Sequence, residues 1–259
     1  MAQNLGESSG SSKAFSETSG LTRRSLLGIG AAASIWNLAG IGQSTWAASG
    51  TDITHGSRNI PKIALTFHGA GDPKIAQEII DIFTSHKTLI TVFGVGNWLE
   101  KNPDLVNQMQ KAKFDLGNHT YSHQAMKTLG AKQTYLEIQK CAKVLTSQIG
   151  YSGKWFRPSG TQYSNALIRK NARNFGYQHC ISYDVDSLDY TDPASSKIEE
   201  NVRKSIKPGS IVSLHFGHNN TPKALPKILK NIEDQGLKPV TISELLVPLK
   251  ISPSHKVIK

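Results

Sequence analysis

From Ile60 onward the chain alternates between two textures. Short apolar runs of strand length are KIALTF (62–67), LITVFGVG (89–96), FDLGNH (114–119), KWFRPS (154–159), HCISYDVDS (179–187), GSIVSLHFG (209–217) and KPVTIS (238–243). Between most of them, apolar positions recur every three or four residues, the period of a helix with one buried face. In PKIAQEIIDIFTSH, Ile75, Ile79, Ile80 and Phe83 share such a face, and Pro73 stands where a first helical turn tolerates it. NPDLVNQMQKAK, KQTYLEIQKCAKVLTSQIG, SNALIRKNARNFG, SSKIEENVRKSI and PKALPKILKNIEDQG repeat the pattern, with Gly150, Gly176 and Gly236 as helix stops. Strand and helix alternating in this way predict an α/β fold, a parallel sheet covered by helices. About seven units in so short a chain favour a closed or nearly closed single-domain barrel, with chemistry at the C-terminal ends of its strands.

Residues 1–47 lack this pattern. Residues 1–20 are rich in Ser, Gly and Ala and carry no period, which predicts disorder. Arg23 and Arg24 then precede an uncharged, mildly apolar run from Ser25 to Gly42, and small residues follow near Ala47 and Ala48. This segment resembles a twin-arginine export signal, read by the export machinery. The expected organisation is a leader over 1–47, a linker over 48–59, the barrel over 60–250 and a short tail over 251–259. The mature protein is expected outside the cytoplasm: periplasmic, cell-wall-associated or extracellular.

The formal charge is +11. No basic helix with interleaved aromatics and no nucleic-acid motif accompanies it, so a solvated basic surface is expected and a nucleic-acid partner is not. Cys141 and Cys180 offer neither a disulfide framework nor metal-ligand spacing and read as buried thiols.

Polar residues gather at five strand ends. The first ends on His68, with Asp72 close behind. The third runs into NHTYSH, placing His119 and His123 four apart. The fourth ends on Arg157, Pro158, Ser159 and Gly160. The fifth carries Asp184, Asp186 and Asp189, and the sixth ends on His215, with His218 nearby. One histidine at a strand end is more often structural than functional. Four histidines, an arginine and several carboxylates on one rim point to a site, and the His119–His123 spacing suits two imidazoles on one metal ion.

The order of these motifs resembles the polysaccharide deacetylase family, the NodB-homology carbohydrate esterases, over roughly residues 60–247. TFHGA stands where that family has TFDDG. HTYSH, RPSGT, DSLDY and SLH are similar to its second, third, fourth and fifth motifs. The resemblance implies a distorted (β/α) barrel. It also implies a metal-dependent hydrolase that removes N-acetyl or O-acetyl groups from a polysaccharide, with one divalent ion, Zn²⁺ by preference, here expected to be exported by its leader. By the same resemblance His119 and His123 hold the metal, His215 is the general acid, Asp189 orients it, and Arg157 orients the base. A backbone N–H near Ser159 or Gly160 would help stabilise the oxyanion. A catalytically silent carbohydrate-binding barrel and a related hydrolase of another amide or ester are the alternatives.

The first motif departs from the family. His68 falls at the base aspartate and Gly69 at the metal-binding aspartate. Three arrangements stay open on the sequence. Asp72 can fold back as third ligand while His68 serves as base. His68 can itself be the third ligand. Or Asp72 and Pro73 are only a helix cap and entry, and the site has decayed.

Overall fold

A computed structural model describes residues 52–247. The expected leader and the tail fall outside the described residues. The described residues carry six parallel strands: β1 (Lys62–Gly69), β2 (Thr91–Gly94), β3 (Asp115–Asn118), β4 (Val185–Asp186), β5 (Ile211–His215) and β6 (Lys238–Val240). The main path runs β3-β2-β1-β5-β4, and β6 pairs with the first residues of β1. The helices are α1 (Pro73–Ser85), α2 (Gly96–Lys101), α3 (Pro103–Lys111), α4 (Ala131–Ile149), α5 (Ala166–Arg173), α6 (Ser195–Ser205), α7 (Thr221–Asp234) and α8 (Ile242–Leu245).

Central β1 is buried along both faces, as parallel strands between two layers are. Ile63, Leu65 and Phe67 pack outward into a cluster with Ile79, Phe83, Leu225 and Ile228 of α1 and α7. The Phe67 ring meets Phe83 and Phe216, each at 5.4 Å between centroids. Ala64 packs in a second cluster with Phe93, Ile181, Ile211 and Val240. A third joins Ile138 of α4 and Ile168 of α5 to Phe156 and Cys180.

The strand expected over 154–159 is reduced to single bridges. Phe156 pairs with Asn118 on one side and Cys180 on the other. Pro158, two residues later, has no N–H to continue a ladder. The segment 179–187 likewise divides into bridges at Cys180 and Ile181 and the two-residue β4. Through these bridges the parallel pairing passes from β3 by way of Phe156 to the segment that leads into β4, which pairs with β5. This circuit is consistent with a distorted barrel, drawn with fewer regular strands than the seven expected.

Residues 52–58, expected as linker, lie against the sheet. Ile53 donates from its N–H to Cys180 O, and its own carbonyl accepts from Ser182 N. Arg58 pairs with Asp184 at 2.7 Å. Asp184 also accepts from the N–H of Ile211, so that carboxylate fastens structure rather than facing the rim histidines.

Candidate active site

The parallel register of β1 sets His68 beside His215 of β5 and Phe93 of β2. Alternation along β1 sends Phe67 out to the helices and leaves Thr66 and His68 on the opposite face. The rings of His68 and His215 stand 4.3 Å apart between centroids, and His68 stands 4.5 Å from His119. His119 follows β3, and its N–H is held by the carbonyl of Gly94 at the end of β2.

His119 is fully buried. Its Nδ1 lies 2.8 Å from the carbonyl of Arg157, which can only accept, so Nδ1 carries the proton and Nε2 keeps its lone pair. That Nε2 is buried with no hydrogen-bond partner. The His123 ring is 5.0 Å from that of His119. His119 and His123 do not share a helical turn. The turn after β3 brings them together, with Thr120 at φ 67° and His123 at φ 60°, left-handed values that cost non-glycine residues about 1–2 kcal/mol each.

One nitrogen from each of His68, His119 and His123 lies within 4.8 Å of the other two. Burial lowers the pKa of all three rings. His119 and His215 add to the effect at His68, and neighbouring His123 adds to it at His119. Neutral imidazoles around an unpartnered buried lone pair are the donor set a borderline cation such as Zn²⁺ takes. The residues therefore fit a metal ion.

Asp72 is not among them. Its carboxylate caps α1, accepting from Lys74 N at 2.9 Å, with Pro73 in the first turn. An aspartate two residues before an exposed helical N–H has a local partner within reach, and the chain heads away into α1. The expected role of Asp72 as third ligand is thus replaced by the cap, and the third imidazole comes from His68.

Arg157 is 1% exposed. Its guanidinium donates to the carbonyls of Ile181 and Ser182 and to Thr66 Oγ1 at 2.9 Å, and its Nη1 lies 3.1 Å from His68 Nε2. It also lies over the faces of Phe93 and Tyr183. Burial draws its pKa down to about 9, so it stays charged at neutral pH. Ser159, the next residue of the expected oxyanion loop, spends its hydroxyl on Gln124 O and accepts from Thr120 Oγ1.

Asp189 is fully buried and orients His215 from two sides. One carboxylate oxygen accepts from His215 Nδ1 at 2.7 Å, and the other accepts from the His215 N–H and from Thr221 Oγ1, both at 2.8 Å. Burial pushes the carboxyl up, but these hydrogen bonds, led by that of the His215 ring, outweigh it and hold its pKa below the ordinary value. Asp186 has its pKa raised by burial and accepts from Leu188 N. His218 forms a second histidine–carboxylate pair with Asp192 at 2.7 Å, its ring 5.7 Å from His215.

Ser213 was not singled out on the sequence. Its Oγ lies 3.2 Å from His68 Nε2. The signal was there: Ser213 and His215 are two apart on one strand and so face the same way. Beside His215 the backbones of two loops meet. A Cβ on Gly71, whose φ is 108°, would stand 2.3 Å from Gly217 Cα, so only glycine fits there. Trp98 Nε1 donates to the Gly71 carbonyl at 2.9 Å.

A model described as polysaccharide deacetylase matches residues 55–180. A peptidoglycan-N-acetylglucosamine deacetylase of Bacillus cereus is 34% identical over 194 residues, 71% of this chain and 87% of that protein. The chain belongs to the polysaccharide deacetylase family. A chitooligosaccharide deacetylase of Rhizobium leguminosarum bv. trifolii is 26% identical, covering 71% of this chain and 82% of its own. Among solved structures, a CE4 family pseudoenzyme from Bacillus anthracis superposes with a TM-score of 0.71 at 28% identity, over 75% of this chain and 68% of that one. The polysaccharide deacetylase family is metal-dependent, which agrees with the histidine donor set found here.

Proposed function

We propose that this chain is an exported deacetylase that hydrolyses N-acetyl groups on glucosamine-containing wall polysaccharide, with one Zn²⁺ held by His68, His119 and His123. The observation that carries the reading is the buried, unpartnered Nε2 of His119 with the other two imidazoles inside ligand range. When bound, the ion supplies polarisation of the acyl carbonyl and acidification of a water. His215 is the proton carrier. With Nδ1 bound to Asp189, its Nε2 can take a proton from the attacking water and return one to the departing nitrogen. Ser213, accepting from Nε2–H of His68, holds that ring with its Nδ1 lone pair free for the ion. N-acetylglucosamine is the chemistry shared by the two deacetylases above, and the +11 charge suits an anionic wall polymer. Export rests on Arg23 and Arg24 ahead of the Gly-rich run.

A deciding experiment pairs elemental analysis of the purified protein with acetate release from N-acetylglucosamine oligomers and from peptidoglycan. One zinc per chain with acetate release supports the reading, and metal-free, inactive protein refutes it. Replacing Arg23 and Arg24 by Lys should retain the precursor in the cytoplasm, and undiminished export refutes that route.

A second reading, a silent carbohydrate-binding barrel, is favoured by the first motif. Gly69 gives no carboxylate, and a Cβ there would lie 2.8 Å from Val92 Cγ1 and 3.2 Å from Gly94 Cα. Binding of the same oligomers without acetate release would select this reading.

A further inference from the structure

We infer that Glu137, on α4, is a positioning residue that shapes the turn carrying His119 and His123. Glu137 lies on the buried face of α4 and is only 2% exposed. Its carboxylate does not reach the histidines. It is spent on two of the three residues between them: one oxygen accepts from the N–H of Ser122 at 2.8 Å and of Tyr121 at 3.1 Å, and the other accepts from Ser122 Oγ at 2.7 Å. Three donors of one short turn thus converge on one buried carboxylate. A buried carboxylate is costly unless its lone pairs are filled, and here the turn fills them.

The opposite side of the turn is held as well. The carbonyls of Thr120 and Tyr121 accept from the N–H groups of Gly96 and Asn97 at the start of α2, both at 2.9 Å. Asn118 accepts from Thr120 N and donates to Ile138 O, beside Glu137 in α4. The turn is therefore clamped between α2 and α4 while Thr120 and His123 are kept at left-handed φ. Without the clamp those two residues would relax to ordinary backbone angles, and the 5.0 Å approach of the His119 and His123 rings would open. Glutamate suits the place because only a carboxylate offers acceptors alone. Glutamine would turn an NH₂ toward a donor.

The metal consequence rests on the three-histidine reading, and the test separates the two. Glu137→Gln, nearly isosteric, and Glu137→Ala are made in the full chain and titrated with Zn²⁺ alone. Support for an outer residue holding first ligands is a loss of zinc affinity of about 10–100-fold, larger for Ala than for Gln. The circular dichroism of the metal-free protein stays unchanged, and amide exchange accelerates at Tyr121 and Ser122. A lower melting temperature with wild-type zinc affinity would make Glu137 merely structural and overturn the inference. If the wild type binds no zinc, the metal reading fails on its own. The amide exchange and the His119–His123 ring separation in the variant's crystal structure then decide the role of Glu137, and an unchanged turn overturns it.

Discussion

Arg157 Nη1 lies 3.1 Å from His68 Nε2, and Ser213 Oγ lies 3.2 Å from the same nitrogen. The guanidinium can only donate, whereas the hydroxyl can accept. When Arg157 is the partner, Nε2 accepts and the neutral ring carries its proton on Nδ1, closing that nitrogen to a metal. When Ser213 accepts from Nε2–H, the Nδ1 lone pair is free. The two neighbours thus set the tautomer of His68 in opposite directions. Ser213→Ala removes the only one of this pair able to accept, and zinc affinity should fall by about tenfold or more. Titration with Zn²⁺ against an unchanged fold checks it, and wild-type affinity would exclude Nδ1 of His68 as a ligand.

Asp72→Ala separates cap from ligand. Loss of the bond to Lys74 N should cost about 1 kcal/mol of stability. Zinc content should stay at the wild-type level. Denaturant melts and elemental analysis read the two effects on the same sample, and loss of the metal would restore Asp72 to the ligand set.

Asp189→Asn tests the orientation of His215. The amide can present an NH₂ to Nδ1 and drive the imidazole into the wrong tautomer, while shape is nearly conserved. The kcat for acetate release should fall by about 10²–10⁴-fold, with little change in zinc affinity. Comparable turnover in the variant would remove His215 from proton transfer.

The metal-free protein should be acid-sensitive in the histidine range. Burial holds His68 and His119 neutral, with folded pKa values below the ordinary 6.5. The unfolded chain binds protons first as pH falls. Their contribution is therefore full above about pH 6.5 and is lost below it, with a slope of up to about 1.4 kcal/mol per pH unit for each ring. Urea melts of metal-free protein at pH 7.5, 6.5 and 5.5 measure the slope. His119→Ala should flatten it, and an equal slope in that variant would mean that other groups dominate.

The long elements were legible because their periods are. The apolar face Ile75, Ile79, Ile80 and Phe83 is the buried face of α1. Six of the seven apolar runs contain the strands. The exception, 154–159, is apolar enough, but Pro158 ends its pairing after one bridge, and composition does not reveal that. Helix α2 has six residues, too few for a period to show. In the site, His68, His119, His123 and His215 were visible as strand-end residues, and the structure gathers them. What the sequence left open was Asp72, since an aspartate before a proline is equally a cap and a ligand until the chain direction is known. Glu137 was hidden for a different reason: two of its three donors are backbone N–H groups, and these leave no residue pattern to read.

The contact of Gly71 with Gly217 has a mechanical meaning. With no side chain between them, the loop leaving β1 and the loop leaving β5 pack backbone against backbone, and Trp98 fastens the first from behind. A single methyl at Gly71 would act as a wedge, prising the wall beside His215 away from the one beside His68 without replacing any group that touches substrate. The spacing of His68 and His215 would thereby follow one seam of bare backbone.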